Sequence, residues 1–243
     1  MRFIFLSLLL ATTSGGAVNA ASLTLVTEHA PPASMQGREG VTGRETDKIR
    51  EMMARTGTAY TVELFPWKRA FVMARQQPGT CVYSTSRTEE REKLFKWIGP
   101  TDEAEWVLWG RADHEFPLKT LEDARHLRIG TYIGDARDEY LRSRGFHVEP
   151  VSNDLANPQK VLLKRIDLWA VGMRRDSPGP SQYDWADKVV PLLVFNRVKV
   201  YLACNPSVPD ELVAQLNAAL AEMRRDGTIA RLERKYEHWA LPK

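Results

Sequence analysis

The sequence predicts an α/β protein built as two similar halves, and three observations carry that expectation. Short apolar runs of strand length alternate with amphipathic runs of helix length. The alternation breaks at Trp109-Gly110-Arg111 and then restarts, and the chain closes on two helices after a last pair of strand-like runs. Sheets whose strands alternate with helices are covered on both faces, so the strands are expected to be buried and apolar.

Leu23 to Thr27 is the first strand-like run. From Glu45 to Arg55 the residues Ile49, Met52 and Met53 fall on one helical face, and Gly57 supplies a stop. Tyr60 to Phe65 reads as a strand, and Trp67 to Arg75 as a helix behind Pro66, with proline preorganised for a helix start. Cys81 to Ser84 reads as a buried strand, Thr88 to Phe95 as a helix and Glu105 to Trp109 as a strand. The second half repeats the scheme: strand Leu127 to Thr131, helix Asp135 to Arg144 closed by Gly145, strand His147 to Val151, helix Asn157 to Lys164, strand Ile166 to Val171. Ser177-Pro178-Gly179-Pro180-Ser181 marks a loop. Beyond it, Lys188 to Phe195 and Val198 to Ala203 read as two strands. Leu212, Leu216, Leu220 and Met223 then form a helical stripe ending at Gly227, and Ile229, Leu232 and Tyr236 continue on a second helix.

At the start, Arg2, the apolar run Phe3 to Ala11 and the small residues of Val18-Asn19-Ala20 form a secretory signal over residues 1–20, cleaved near Ala20. That run is too short for a stable anchor, and no later stretch approaches the roughly 20 apolar residues of a membrane helix. The expected product is exported, periplasmic, not membrane-embedded and monomeric. The full chain of 243 residues carries a formal charge of +3 with scattered basic residues, which argues against a nucleic-acid binder. Cys81 and Cys204 are the only cysteines. In an oxidising compartment they are either a disulfide or two buried thiols.

One segment concentrates the chemistry: Ser84-Thr85-Ser86-Arg87-Thr88-Glu89-Glu90-Arg91, followed by Phe95, Trp97 and Pro100. It ends a strand and opens a helix. The first N–H groups of a helix lack intrahelical partners and suit an anion, and Thr88 is positioned as N-cap. Arg91 then lies on the first turn, where a planar guanidinium closes bidentately on a carboxylate. The alternative is a capped surface helix whose Arg91 pairs with a neighbouring glutamate. Arg87 reads either as a second cation or as an exposed residue before the cap. Phe65-Pro66-Trp67 delivers Trp67 near the strand ends, as a stacking platform or as a plug beneath the helix.

These motifs resemble, in their order along nearly all of the mature chain, the family 3 extracellular solute-binding proteins, the periplasmic receptors of amino-acid ABC importers. The resemblance rests on Val41-Thr42-Gly43, the segment 84–91, Leu127-Arg128-Ile129-Gly130 before Gly134-Asp135, Arg165-Ile166-Asp167, and Ala221 to Thr228. It implies a two-lobe type II periplasmic-binding-protein-like fold with two hinge strands and a cleft, lobe 1 comprising 21–109 and 203–243 and lobe 2 comprising 110–202. The return of the chain to lobe 1 would bring Cys204 towards Cys81. By position the resemblance makes Arg91 the holder of a ligand carboxylate, with Ser84 and Ser86 beside it. It places Glu28, in the loop Thr27 to Pro32, against a cationic or hydrogen-bonding part of the ligand, or leaves it a loop acid. Gly134 presents a helix end, with Asp135 as N-cap or contact, and Trp169 either stacks on the ligand or joins the core. Where the family neutralises a ligand ammonium with an acid, this chain has Gly172.

The function expected is capture of a small carboxylate-bearing solute, an amino acid or similar, for an inner-membrane ABC permease, with no catalytic residues, cofactor, metal or nucleic acid. The alternatives are a sensor-type receptor without transport, or a dehydratase-like enzyme with Glu28 as its acid or base and His29 beside it. No Gly-x-Ser-x-Gly or His-Glu-x-x-His motif is present, which removes support for nucleophilic or zinc chemistry.

Overall fold

A computed structural model describes residues 22–174, 183–237 and 239. The signal segment and the 177–181 loop lie outside these residues. In chain order the elements are β1 (Leu23–Thr27), β2 (Met35–Gly37), β3 (Gly40–Thr42), α1 (Arg44–Thr56), β4 (Tyr60–Leu64), α2 (Trp67–Gln76), β5 (Thr80–Ser86), β6 (Lys96–Arg111), β7 (Arg128–Tyr132), α3 (Ala136–Ser143), β8 (His147–Val151), α4 (Asn157–Leu162), β9 (Leu168–Met173), β10 (Val189–Cys204), α5 (Asp210–Arg225) and α6 (Thr228–Arg234).

Eight strands form a sheet in the order β4-β1-β5-β10-β6-β9-β7-β8, with β2 and β3 as a separate hairpin. β1 pairs in parallel with β4 and β5, and β7 in parallel with β8 and β9. Between these two parallel groups run β6 and β10, antiparallel to each other from Val189↔Arg111 to Cys204↔Lys96. Each has 16 residues, which at about 3.3 Å per residue is about 50 Å of strand, more than one small α/β unit spans. β10 meets β5 only from Val200 onward, and β6 meets β9 only from Glu105 onward. The two strands therefore belong to both halves, and the two-lobe α/β fold follows from them.

Three expectations change here. The strand read at 105–109 is the second part of β6, which already begins at Lys96. The two strands read at 188–195 and 198–203 are one, β10. The polar Asn196-Arg197 that looks like a break sits at a register shift between Val194 and Asn196, where a bulge bends the strand without ending it. The helix read at 88–95 is a 3₁₀ helix, Glu89–Leu94, with Thr88 at its start but making no side-chain cap. Six residues in that tighter form do not provide the aligned N-terminal dipole of an α-helix.

The first half has apolar clusters on both faces of its sheet. One joins Leu23, Leu25, Ile49, Met52, Met53, Tyr83, Leu216, Leu220 and Met223, so the predicted stripes of α1 and α5 pack together over β1 and β5. The other places Trp67, Phe71 and Phe95 against Val26 and Val82. In the second half Leu108, Ile129, Leu141 and Leu168 form one cluster, and Trp109, Trp169, Val161 and Val189 another. Gly130 is required by this packing: a Cβ there would lie 2.4 Å from both Asn157 Oδ1 and Ile166 Cδ1.

Cys81 and Cys204 are bonded within the first cluster, across the β5–β10 pair. The bridge closes a loop 123 residues long and so includes the whole second half. A second tie lies beyond the end of β9. Arg174 Nη2 is 3.0 Å from Glu233 Oε1 of α6, and Glu233 is in turn 2.9 Å from the buried Lys48 of α1.

Replacing both cysteines by alanine is expected to cost about 2–5 kcal/mol, read as a lower urea midpoint with native secondary structure retained. The unreduced, denatured wild-type protein should show no titratable thiol; two thiols would refute the bridge.

Candidate functional site

The predicted site residues Trp67, Ser84, Arg91, Gly134 and Asp135 gather where the end of β5 and the start of α2 face the β7–α3 turn. Arg91, in the 3₁₀ helix after β5, is only 1 % exposed, so a full positive charge sits in the contact between the halves. Its guanidinium lies over the Phe71 ring, 4.5 Å from the centroid. Nη2 donates to the Gly134 carbonyl at 3.1 Å and Nε to Glu139 Oε2 at 2.8 Å, while Nη1 is buried without a partner among the described residues. The glutamate that meets Arg91 is therefore not a sequence neighbour but a residue of α3.

The same carbonyl accepts from Trp67 Nε1 at 2.9 Å, and the Trp67 backbone N–H donates to the Tyr132 hydroxyl at 3.2 Å. Trp67 is thus buried and linked through its N–H to the other half. Gly134 can serve both donors because it takes φ 77°, a left-handed turn that points its carbonyl back across the contact. Ser84, near the end of β5, also has a left-handed φ of 60°, and its Oγ is buried with no partner among the described residues. Such a conformation in a non-glycine residue costs about 1–2 kcal/mol, and uncompensated strain of this kind gathers at binding sites.

Asp135 caps α3, accepting from the Arg137 backbone N–H at 2.7 Å and from Arg137 Nε at 2.6 Å. Arg137 also donates through Nη1 to the Ala170 carbonyl at 3.2 Å, and its Nη2 is 3.6 Å from Asp154 Oδ2. It passes directly over Gly172, where a Cβ would stand 3.3 Å from Nη1. The place without an acid in the sequence is therefore filled by the chain's own guanidinium. Burial disfavours every charge here, yet Asp135 is held below its ordinary value by Arg137, and Arg137 is raised by Asp135 and Asp154. Asp154 is raised by burial despite the arginine.

Glu28 follows β1 and is partly exposed. Burial, reinforced by the Asp135 charge, lifts its carboxyl to about 8, against the Tyr132 hydroxyl and Arg137. At neutral pH it holds its proton.

The remaining predicted residues are placed elsewhere. Arg87 pairs with Glu92, with Nε 2.7 Å from Oε2, and lies over Trp97 and Tyr201; it is not the second cation beside Arg91. Trp169 is buried among Trp109 and Trp185, with Nε1 donating to Asp154 at 2.8 Å, so it belongs to the core and supports the site through that carboxylate. Ser86 makes no side-chain hydrogen bond among the described residues. Sequence reasoning missed Tyr132, Arg137, Glu139 and Asp154. Arg137 had a signal, a cation two residues after an N-cap acid, whereas Glu139 and Asp154 look like ordinary surface acids. No group of three or more His, Cys, Asp or Glu residues that would hold a metal occurs among the described residues.

Two lobes on a shared strand pair, with polar side chains facing each other between them, define a two-lobe solute-binding protein. Residues 23–238 match the bacterial extracellular solute-binding proteins, family 3, and the chain belongs to that family. It is 24 % identical over 215 residues to the L-cystine-binding protein TcyJ of Escherichia coli K12, covering 85 % of this chain and 78 % of that one. Among solved structures, a histidine kinase sensor domain with similarity to periplasmic binding proteins superposes with a TM-score of 0.77 at 18 % identity, covering 88 % and 95 % of the two chains. An arginine 3rd transport system periplasmic binding protein from Legionella pneumophila gives 0.71 at 21 % identity, covering 88 % and 99 %.

Two measurements test this geometry. Because folding raises the Glu28 pKa, the unfolded chain loses its proton near pH 4.5 while the folded one keeps it to about pH 8. Stability of the ligand-free protein therefore falls as pH rises through that window, by up to about 1.4 kcal/mol per pH unit. Glu28→Gln should flatten this slope in urea titrations at pH 5 and pH 8; an unchanged slope would show that the carboxyl is ionised. Arg137→Met leaves Asp135 and Asp154 without their cation and should cost roughly 3–5 kcal/mol in the same titration at pH 7.

Proposed function

We propose that this protein is a periplasmic receptor that closes its lobes, 21–109 with 203–243 against 110–202, on a small carboxylate-bearing solute, an amino acid or close relative. It then presents the solute to an inner-membrane ABC importer. One observation carries the reading: the guanidinium of Arg91 is buried between the lobes with an N–H that nothing among the described residues satisfies. A buried charged donor left open is costly, and an anionic ligand relieves that cost as the lobes close. Phe71 fixes the plane of the guanidinium, and the strained Ser84 offers a free hydroxyl near the same strand end. Binding of this kind needs no bond-making chemistry.

The ammonium of an amino acid would have to be met by Glu28, since Asp135 and Asp154 already face Arg137. A ligand cation beside Glu28 would expel its proton. The similarity to a cystine-binding protein favours an amino acid, and the likeness to a kinase sensor domain favours a second reading, in which the same closure is sensed and not coupled to transport.

The test is thermal unfolding of the mature, disulfide-intact protein against L-cystine, L-arginine, L-glutamine, dicarboxylates and short peptides. A ligand at 100 times its Kd adds about 2.7 kcal/mol and raises the midpoint by several degrees. Arg91→Ala should abolish the shift while changing ligand-free stability by no more than about 1–2 kcal/mol. A collapse of the ligand-free transition would instead make Arg91 a packing residue. Glu28→Gln should weaken amino acids relative to dicarboxylates, and unaltered preference would remove Glu28 from the site.

A further inference from the structure

The guanidinium of Arg91 offers five N–H donors in a planar fork suited to both oxygens of one carboxylate. Here it receives less. Glu139 of α3 reaches it from the other lobe through a single oxygen on Nε, the Gly134 carbonyl takes Nη2, and Nη1 is unmet. The two partners are unequal in burial: Arg91 is 1 % exposed and Glu139 38 %. Glu139 thus stands at the mouth of the contact, with solvent available to it if it lets go. Arg91 has no such alternative.

We propose that Glu139 is a built-in competitor for the ligand's carboxylate: it covers Arg91 when the cleft is empty and is displaced when a ligand offers a bidentate carboxylate. The inference rests on Arg91 as the carboxylate-binding residue. It makes Glu139 a specificity determinant that never needs to touch the bound ligand. A neutral solute, offering a weaker partner than the carboxylate it must remove, is rejected, and so is an anion that reaches only one N–H. A two-oxygen carboxylate exchanges one charge-assisted hydrogen bond for two, and the freed Glu139 is hydrated. The contact also holds α3 against the 3₁₀ helix, so the ligand-free lobes are biased towards closure, and the apparent affinity is the intrinsic affinity multiplied by the fraction of protein in which Glu139 has released Arg91.

The experiment compares wild type, Glu139→Gln, Arg91→Ala and Glu89→Gln by isothermal titration calorimetry with L-cystine, L-arginine, L-glutamine and succinate. Solution X-ray scattering is recorded on each ligand-free protein. Glu89→Gln removes the same charge from an exposed position on the same 3₁₀ helix, whereas Glu90 is avoided because it lies 3.8 Å from Arg144 at the end of α3. Glu139→Gln is expected to bind the accepted probe about fivefold more tightly, as for loss of a partly exposed ion pair, and Glu89→Gln to change little. Equal or weaker binding by Glu139→Gln, with binding lost in Arg91→Ala, overturns the competitor and leaves Arg91 in its role. Binding retained in Arg91→Ala removes the role of Arg91 itself. Equal gains in the two glutamine variants reduce the effect to net charge and also overturn the proposal. If only Glu139→Gln binds a probe, the proposal is supported. If no protein binds any, scattering decides: a larger radius of gyration for Glu139→Gln supports the contact as the closing element, and an unchanged radius refutes it.

Discussion

Everything in this molecule hangs on the antiparallel ladder between β6 and β10. Each parallel strand group is an ordinary small α/β unit, and within the sheet the two groups are joined through these two strands. Because β10 gives its C-terminal end to β5 and β6 gives its C-terminal end to β9, one continuous hydrogen-bonded ribbon serves as the edge of both cores. The register shifts within the ribbon are where backbone pairing is weakest and twist is largest. Such a ribbon resists stretching and shear while leaving rotation of one lobe about the other as the soft motion, which is the motion the proposed closure needs. The disulfide fixes one end of the ribbon to β5 and leaves the lobe contact unconstrained.

The electrostatics of that contact follow from burying two guanidiniums at once. A buried charge persists only when it is paired or hydrogen-bonded. Arg137 is supported on three sides, by Asp135, the Ala170 carbonyl and Asp154, and so behaves as part of the second lobe's interior. Arg91 is supported on two, by a carbonyl and a carboxylate that both belong to the other lobe. That asymmetry separates a structural cation from one whose environment changes with lobe position. Glu28 completes the contrast, since burial and the Asp135 charge raise its pKa where Arg137 lowers that of Asp135.

Much of the fold was legible because its signals are local. The Ile49, Met52 and Met53 stripe, the stop at Gly57, the Asp135 cap and the restart after Trp109 depend on residues a few positions apart, and α1, α3 and β7 form within a residue or two of where those patterns place them. The failures also have identifiable causes. Asn196-Arg197 mimics a turn because a bulge tolerates polar residues that a regular ladder would not. Thr88 mimics an α-helical cap, but the chain must leave the 3₁₀ turn at once to begin β6. Arg87 reads as a second cation or as an exposed residue before the cap, and only the position of Glu92 and of the Trp97 and Tyr201 rings decides between the two.

The sequence by itself determined the α/β class, the two halves, nearly every helix and strand, and the residues Arg91, Trp67 and Gly134 that now lie together. The tertiary structure decided the rest: the Cys81–Cys204 bond, the continuity of β10, the Arg137 guanidinium over Gly172 and the grip of Glu139 on Arg91. The physical reason is range. Periodicity and capping act over one or two turns, whereas these contacts join residues 33 to 123 positions apart, and nothing in an isolated glutamate or arginine indicates which distant partner the ladder of β6 and β10 will bring to it.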